Sequence, residues 1–302
     1  MKKYLPALAV IFAAFLWSLD GFLRQNLYEL SSFLIISLEH ILGAIILAPL
    51  LIKGWKELRS LNQRGWASVT WISVCGGILG TFFYTKALSY ISYIDLSVVV
   101  LLQKFQPLFA ITLAAIILKE PITRRFLLLA SVAIAGGYLI TFGTQPMSDW
   151  NDRTLIAALL ALLAAFSWGT STVLGKHALK RLTFPTVTAL RLTFTAVITL
   201  FILISTGQSD QISEVTPGQW KTIIIIVFST GSLALFIYYY GLKHLPATHA
   251  TLYELFWPFS AAGLDWFVRG RILQPAQMLG AVLLLGSIIF LTRETSRGAP
   301  KP

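Results

Sequence analysis

The sequence predicts an all-α integral membrane protein: ten transmembrane helices arranged as two inverted five-helix repeats. Composition is the first reason, since 56% of the 302 residues are hydrophobic and 12% are charged, with mean hydropathy +0.73. A water-soluble domain carries about 25% charged residues. The second is that apolar segments long enough to cover the ~30 Å hydrocarbon core recur along the whole chain. The third is that features of the first half return, in the same order, in the second.

Lys2 and Lys3 precede an apolar run, Leu5 to Leu19, that leads into Asp20 rather than a small-residue cleavage site. Segment 4–23 is therefore expected to be an uncleaved first helix. Segment 31–52 carries two interior ionisable residues, Glu39 and His40, and segment 66–90 contains Gly76, Gly77 and Gly80, which permit close helix packing. Segment 94–118 is the most informative. A helix over Asp95 to Leu118 leaves Lys104 near mid-membrane, where a charge costs about 2.5–3.5 kcal/mol unless a partner or a wet cavity receives it. Pro107 lacks a backbone donor and is expected to kink the turn that carries Gln103, Lys104 and Gln106. Segment 124–143 completes the first unit, residues 1–146, and a polar hinge, Met147 to Arg153, leads to the second, residues 154–292. Segments 154–175, 185–206 and 219–242 follow, with Arg191 inside the second of these. Segment 247–268 places Tyr253, Glu254 and Trp257 just before a second helix break at Pro258, and segment 274–292 is the tenth.

With the N-terminus inside, sixteen of the 24 basic residues fall in cytoplasmic segments, five on the other face, and Lys86, Lys104 and Arg191 within spans. That bias predicts both termini in the cytoplasm and a multi-pass protein of the inner membrane. It also explains the net charge of +11 without a nucleic-acid partner. The single cysteine, Cys75, can form no intramolecular disulfide.

The repeat is read from paired positions. Ala13 to Trp17 answers to Ala164 to Trp168 at an offset of 151, while Trp66, Gly77, Phe82 and Tyr84 answer to Trp220, Gly231, Phe236 and Tyr238 at an offset of 154. Pro107 meets Pro258, and Gly136 meets Gly286. An odd number of spans per unit inverts the second copy, and inverted repeats place a binding site near the midplane where the halves meet.

The stretch Ala87 to Ser92, through Pro107-Leu108-Phe109-Ala110, to Lys119-Glu120-Pro121-Ile122-Thr123, with its counterpart Gly241 to Pro246 and Trp257-Pro258-Phe259, resembles the EamA domains of the drug/metabolite transporter superfamily. The resemblance covers essentially the whole chain. Three departures stand out: Asp95 to Pro107 is about three residues longer than the family spacing; Glu39 stands where the second half has Arg191; and Glu120 has Arg269-Gly270-Arg271 at the matching turn. The resemblance implies a central cavity lined by helices one, three, four, six, eight and nine. Its candidate substrate-binding residues are Trp17, Tyr84, Gln103, Lys104, Gln106, Trp168, Tyr239, Tyr253, Glu254 and Trp257. Lys104 and Glu254 are expected to face each other as opposite charges, each offsetting the other's desolvation. Glu39 and His40 are candidates to carry a coupled proton or to fix helix two, through Arg191 among other neighbours. Asp20, Lys86 and Asp265, toward span ends, are candidate gates.

No phosphate loop, HExxH, paired cysteines or nucleophile elbow is present, so neither an enzyme nor a metal or other cofactor is expected. The expected function is secondary-active transport, with export as the direction, of small polar metabolites by alternating access. A zwitterion such as an amino acid fits Lys104 with Glu254. Nucleotide sugars, organic anions or cationic drugs are the alternative cargoes, and a membrane enzyme or scaffold is the reading from another class. The partners expected are the small-molecule substrate and the lipid bilayer, with the protein as monomer or homodimer.

Overall fold

The structure is a computed structural model that describes residues 2–27, 29–88, 102–103, 105–144, 152–269 and 272–298. Every regular element among the described residues is helical. The principal elements among the described residues are, in order, α1 (Leu5–Arg24), α2 (Ser32–Lys53), α3 (Gln63–Ala87), α4 (Gln106–Leu118), α5 (Arg124–Phe142), α6 (Asp152–Ala178), α7 (Phe184–Ser205), α8 (Pro217–His244), α9, broken into Ala247–Tyr253 and Phe256–Arg269, and α10 (Pro275–Gly298). Eight of them, all except α4 and α9, are long and apolar enough to cross a membrane. Apolar side chains such as Ile45, Leu128, Phe201, Phe267 and Val282 lie on the outside, as expected where lipid replaces water as solvent.

The starts of these helices are written locally. Ser31, Asn62 and Thr123 accept hydrogen bonds from the first-turn amides of Leu34, Gly65 and Phe126, and Thr216 and Gln219 form a reciprocal capping box ahead of α8. Pro6, Pro185 and Pro217 occupy first turns, where a missing N–H costs nothing.

In the fourth segment, where the sequence predicts one helix kinked or loosened at Pro107, the described residues show a break. Leu102 and Gln103 are helical, a new helix begins at Gln106, and Pro107 stands in its first turn. Proline's ring would meet the carbonyl of Gln103 in a continuous helix, so the chain breaks ahead of it. Residues 89–101, Lys104 and most of the hinge lie outside the described residues. Pro258 sits the same way, third in Phe256–Arg269, with the break at Glu254 and Leu255.

Packing maps onto itself when the halves are exchanged. α2 lies along α7 and α5 along α10, while α1 packs on α8 and α9 as α6 packs on α3 and α4. The aromatic pairs make this explicit: Trp17 on Tyr238, with ring centroids 5.2 Å apart and 51° between planes, is matched by Trp168 on Tyr84, at 5.6 Å and 54°. Backbone irregularities match too. α3 is π-helical over Ile72–Leu79, and α8 loosens at Phe228 to Gly231, where the Gly231 amide donates to Ile226 five residues back, at 2.7 Å. π-type turns of this kind concentrate at functional sites. α5 and α10 meet through Gly136 and Gly280, not Gly286, beside which the space is open.

Candidate functional site

The break in α9 turns Glu254 into the middle of the helix bundle. Its Oε1 accepts from Tyr238 at 2.7 Å, with Thr172 Oγ1 at 3.4 Å, and its Oε2 accepts from Gln106 Nε2 at 2.7 Å. Gln103 Nε2 donates to Gln106 Oε1 at 3.2 Å, and the hydroxyls of Thr172 and Tyr238 are 3.0 Å apart. One carboxylate thus gathers α4, α6, α8 and α9, two helices of which carry the proline breaks. Glu254 and Gln103 occupy equivalent repeat positions at an offset of 151. The repeats therefore bring their matching break residues to one network.

The expected partner of Glu254, Lys104, lies outside the described residues. Among the described residues the carboxylate has no ion pair; neutral donors hold it. Trp17 packs on Tyr238 of this network and Trp168 on Tyr84, both half-buried, as are Gln106 and Trp257. Tyr84 is the partner of Trp168, whereas Tyr239 and Tyr253 are fully buried in the core. Tyr239 instead accepts a 3.0 Å hydrogen bond from Arg191 Nη1, whose guanidinium lies 5.8 Å from the ring centroid. Tyr238 donates one of the two 2.7 Å bonds to Glu254 and Thr172 reaches both of these side chains, yet as candidate site residues they are absent from the sequence reading. The Tyr84–Tyr238 repeat match is the signal that would have found Tyr238.

Glu39 and His40 do not form a pair. Glu39 accepts from Arg24 Nη2 at 3.0 Å, Arg24 also pairs with Asp20, and Thr230 Oγ1 donates to Asp20 at 2.7 Å. His40 Nδ1 meets its own helix at the Ile36 carbonyl, 2.8 Å away. The neighbour that fixes Glu39 is thus Arg24 of α1 and not Arg191. Arg24, counted by sequence among residues outside the spans, reaches back from the end of α1.

Further ties sit at the helix ends. Glu120 accepts from the amides of Ala247 and Thr248 at 2.7 and 3.0 Å, capping α9. Lys176 donates to the carbonyls of Leu242 and Lys243, both at 2.9 Å, while Lys243 donates to those of Leu179 and Leu182, so α6 and α8 cap each other's C-terminal ends. Ser68 and His177 are hydrogen-bonded at 2.8 Å, and Trp71 Nε1 donates to Thr170 at 3.0 Å. Among the described residues no three His, Cys, Asp or Glu side chains are grouped to hold a metal ion.

Comparison with known proteins bears on this arrangement. The sequence profile of the EamA-like transporter family matches residues 5–142 and 155–293. The chain is 37% identical over 290 residues to the riboflavin transporter ImpX of Fusobacterium nucleatum subsp. nucleatum, covering 95% of this chain and 97% of that one. It is 26% identical over 296 residues to the uncharacterized transporter YwfM of Bacillus subtilis, covering 96% and 94% of the two chains. It is also 25% identical over 287 residues to protein LicB of Haemophilus influenzae, covering 92% and 94%. A protein of known crystal structure, 18% identical, superposes with a TM-score of 0.77 over 97% of this chain and 98% of its own, a likeness of fold.

Proposed function

Because the chain belongs to the EamA-like transporter family, we propose that it is a secondary carrier of riboflavin, moved across the inner membrane by alternating access of a site between two inverted repeats. The observation that carries this reading is Glu254, a carboxylate held by Tyr238, Gln106 and Thr172 where both halves meet, with Trp17 packed on Tyr238 and its counterpart Trp168 on Tyr84. The name of the 37%-identical relative supplies the cargo. Riboflavin is a neutral, flat, three-ring heterocycle with a polyol tail. Its ring suits indole and phenol faces, whose stacking contributes about 0.5–1.5 kcal/mol per pair, and its hydroxyls and ring N–H suit a carboxylate acceptor. Lys104, between Gln103 and Gln106 in sequence, is proposed as a further contact. An amino acid, whose two opposite charges would suit a lysine and a carboxylate, is the competing cargo.

Purified protein in liposomes tests the reading. Riboflavin fluorescence should report saturable flux with no soluble component added, and flux of amino acids but not riboflavin would replace the cargo. Loading the same vesicles with riboflavin tests the expected export direction. Collapsing a pH gradient tests whether Glu39 or His40 couples a proton to the cycle. Product formation without flux would favour a membrane enzyme.

A further inference from the structure

The two halves treat one pair of equivalent positions oppositely. Seven residues into α2 stands Glu39, and seven residues into α7 stands Arg191, each about 10 Å from its helix start. Around Glu39 the charges of the first half are paired: Arg24 of α1 bonds to it and to Asp20, and Thr230 of α8, from the second half, donates to Asp20. Offsets of 151 and 154 carry Asp20 to Ser171, Arg24 to Gly175 and Thr230 to Gly76. The second half therefore has neither the acid nor the base of the first. Tyr239 lies against Gly175, where a Cβ would come within 3.0 Å of its ring.

What remains is a cation and a hydroxyl converging on a glycine. A Cβ at Gly76 would lie 2.1 Å from Ser171 Oγ and 2.8 Å from Arg191 Nη2. Ser171 is 4% exposed and its Oγ has no hydrogen-bond partner; the Arg191 Nε is likewise buried and unpartnered. No carboxylate among the described residues pairs with Arg191. A guanidinium at membrane depth that finds, among the described residues, a tyrosine hydroxyl as its hydrogen-bond acceptor is costly.

We infer that Arg191 and Ser171 form a cargo subsite for a carbonyl or anionic oxygen, which supplies in the second half the acceptor that Asp20 supplies in the first. On the flavin reading, which this inference extends, the oxygen is a carbonyl of the ring's pyrimidinedione edge, with Glu254 left to the N–H and hydroxyl groups. The cargo then completes a latch that the protein alone leaves open.

Two readouts on purified protein decide it. Riboflavin and lumichrome, the ring without its polyol, should each bind R191Q and S171D at least tenfold more weakly than wild type, by fluorescence titration. S171D supplies its own acid, so without cargo it should melt about 2–4 °C above S171N, which has the same size without the charge. Wild-type affinity in R191Q, or S171D melting no higher than S171N, would overturn the inference. If wild-type protein binds no flavin while S171D melts above S171N, the subsite stands and the flavin reading falls.

Discussion

At the scale of single residues, the decisive feature is a carboxylate satisfied by neutral donors. Tyr238→Phe removes the 2.7 Å donor to Glu254 Oε1 and leaves that oxygen to Thr172 at 3.4 Å. A hydrogen bond to a charged group is worth about 1.5–3 kcal/mol in soluble proteins and less in membranes, so a loss of about 1–2 kcal/mol in a reversible unfolding titration is expected. Glu254→Gln keeps the shape but turns half of the acceptor into a donor aimed at other donors. Riboflavin flux should then fall at least about tenfold, the rate equivalent of 1.4 kcal/mol. Flux equal to wild type would remove Glu254 from the site. Glu254 itself was legible because a carboxylate between Tyr253 and Trp257 inside an apolar run is conspicuous. Gln106 was legible too, but two other partners were not: Thr172 and Tyr238 come from other helices, and a single sequence does not say which faces of separate helices meet. The Arg24–Glu39 pair was hidden for the same reason, since an arginine at a helix end reads as interfacial until the facing helix is known.

At the scale of helices, termini and crossings are fixed by few contacts. Glu120→Ala strips the acceptor from two first-turn amides and the Thr248 hydroxyl, and should cost about 1–2 kcal/mol by thermal unfolding. Gly280→Ala places a Cβ 2.5 Å from the Ile140 amide nitrogen and 2.7 Å from the Gly136 carbonyl, backbone atoms that cannot rotate away. Separation of α5 from α10 is then expected, with a loss of about 1–3 kcal/mol. Gly286→Ala, with nothing within 4 Å, should be neutral or stabilising by up to about 1 kcal/mol. Equal melting of the two variants would contradict this crossing. Sequence pairing of Gly136 with Gly286 found a repeat position, whereas the packing partner is set by the relative slide of two helices, which periodicity does not encode. The prolines were legible as breaks, but not the side on which each helix breaks. The clash with the carbonyl four residues back places both breaks on the N-terminal side.

At the scale of the whole molecule, Trp17 with Tyr238 and Trp168 with Tyr84 span the seam between halves in two equivalent ways. Other ties across the same seam are not equivalent: α1 holds α8 through Asp20 and Thr230, whereas α3 holds α6 through Ser68 with His177 and Trp71 with Thr170. A carrier that rocks one half on the other must release these ties in turn, because cargo leaves only through an opened seam. The chain's single cysteine allows the requirement to be tested cleanly. In a Cys75→Ser background, Ser68→Cys with His177→Cys should bridge α3 to α6, and Asp20→Cys with Thr230→Cys should bridge α1 to α8, by oxidation or a short bifunctional thiol reagent. Each bridge should abolish riboflavin flux, and reduction should restore it to the rate of the same variant before bridging. A scaffold or a static channel has no reason to stop when its helices are tied, so full flux through a verified bridge at either position would exclude alternating access through that seam.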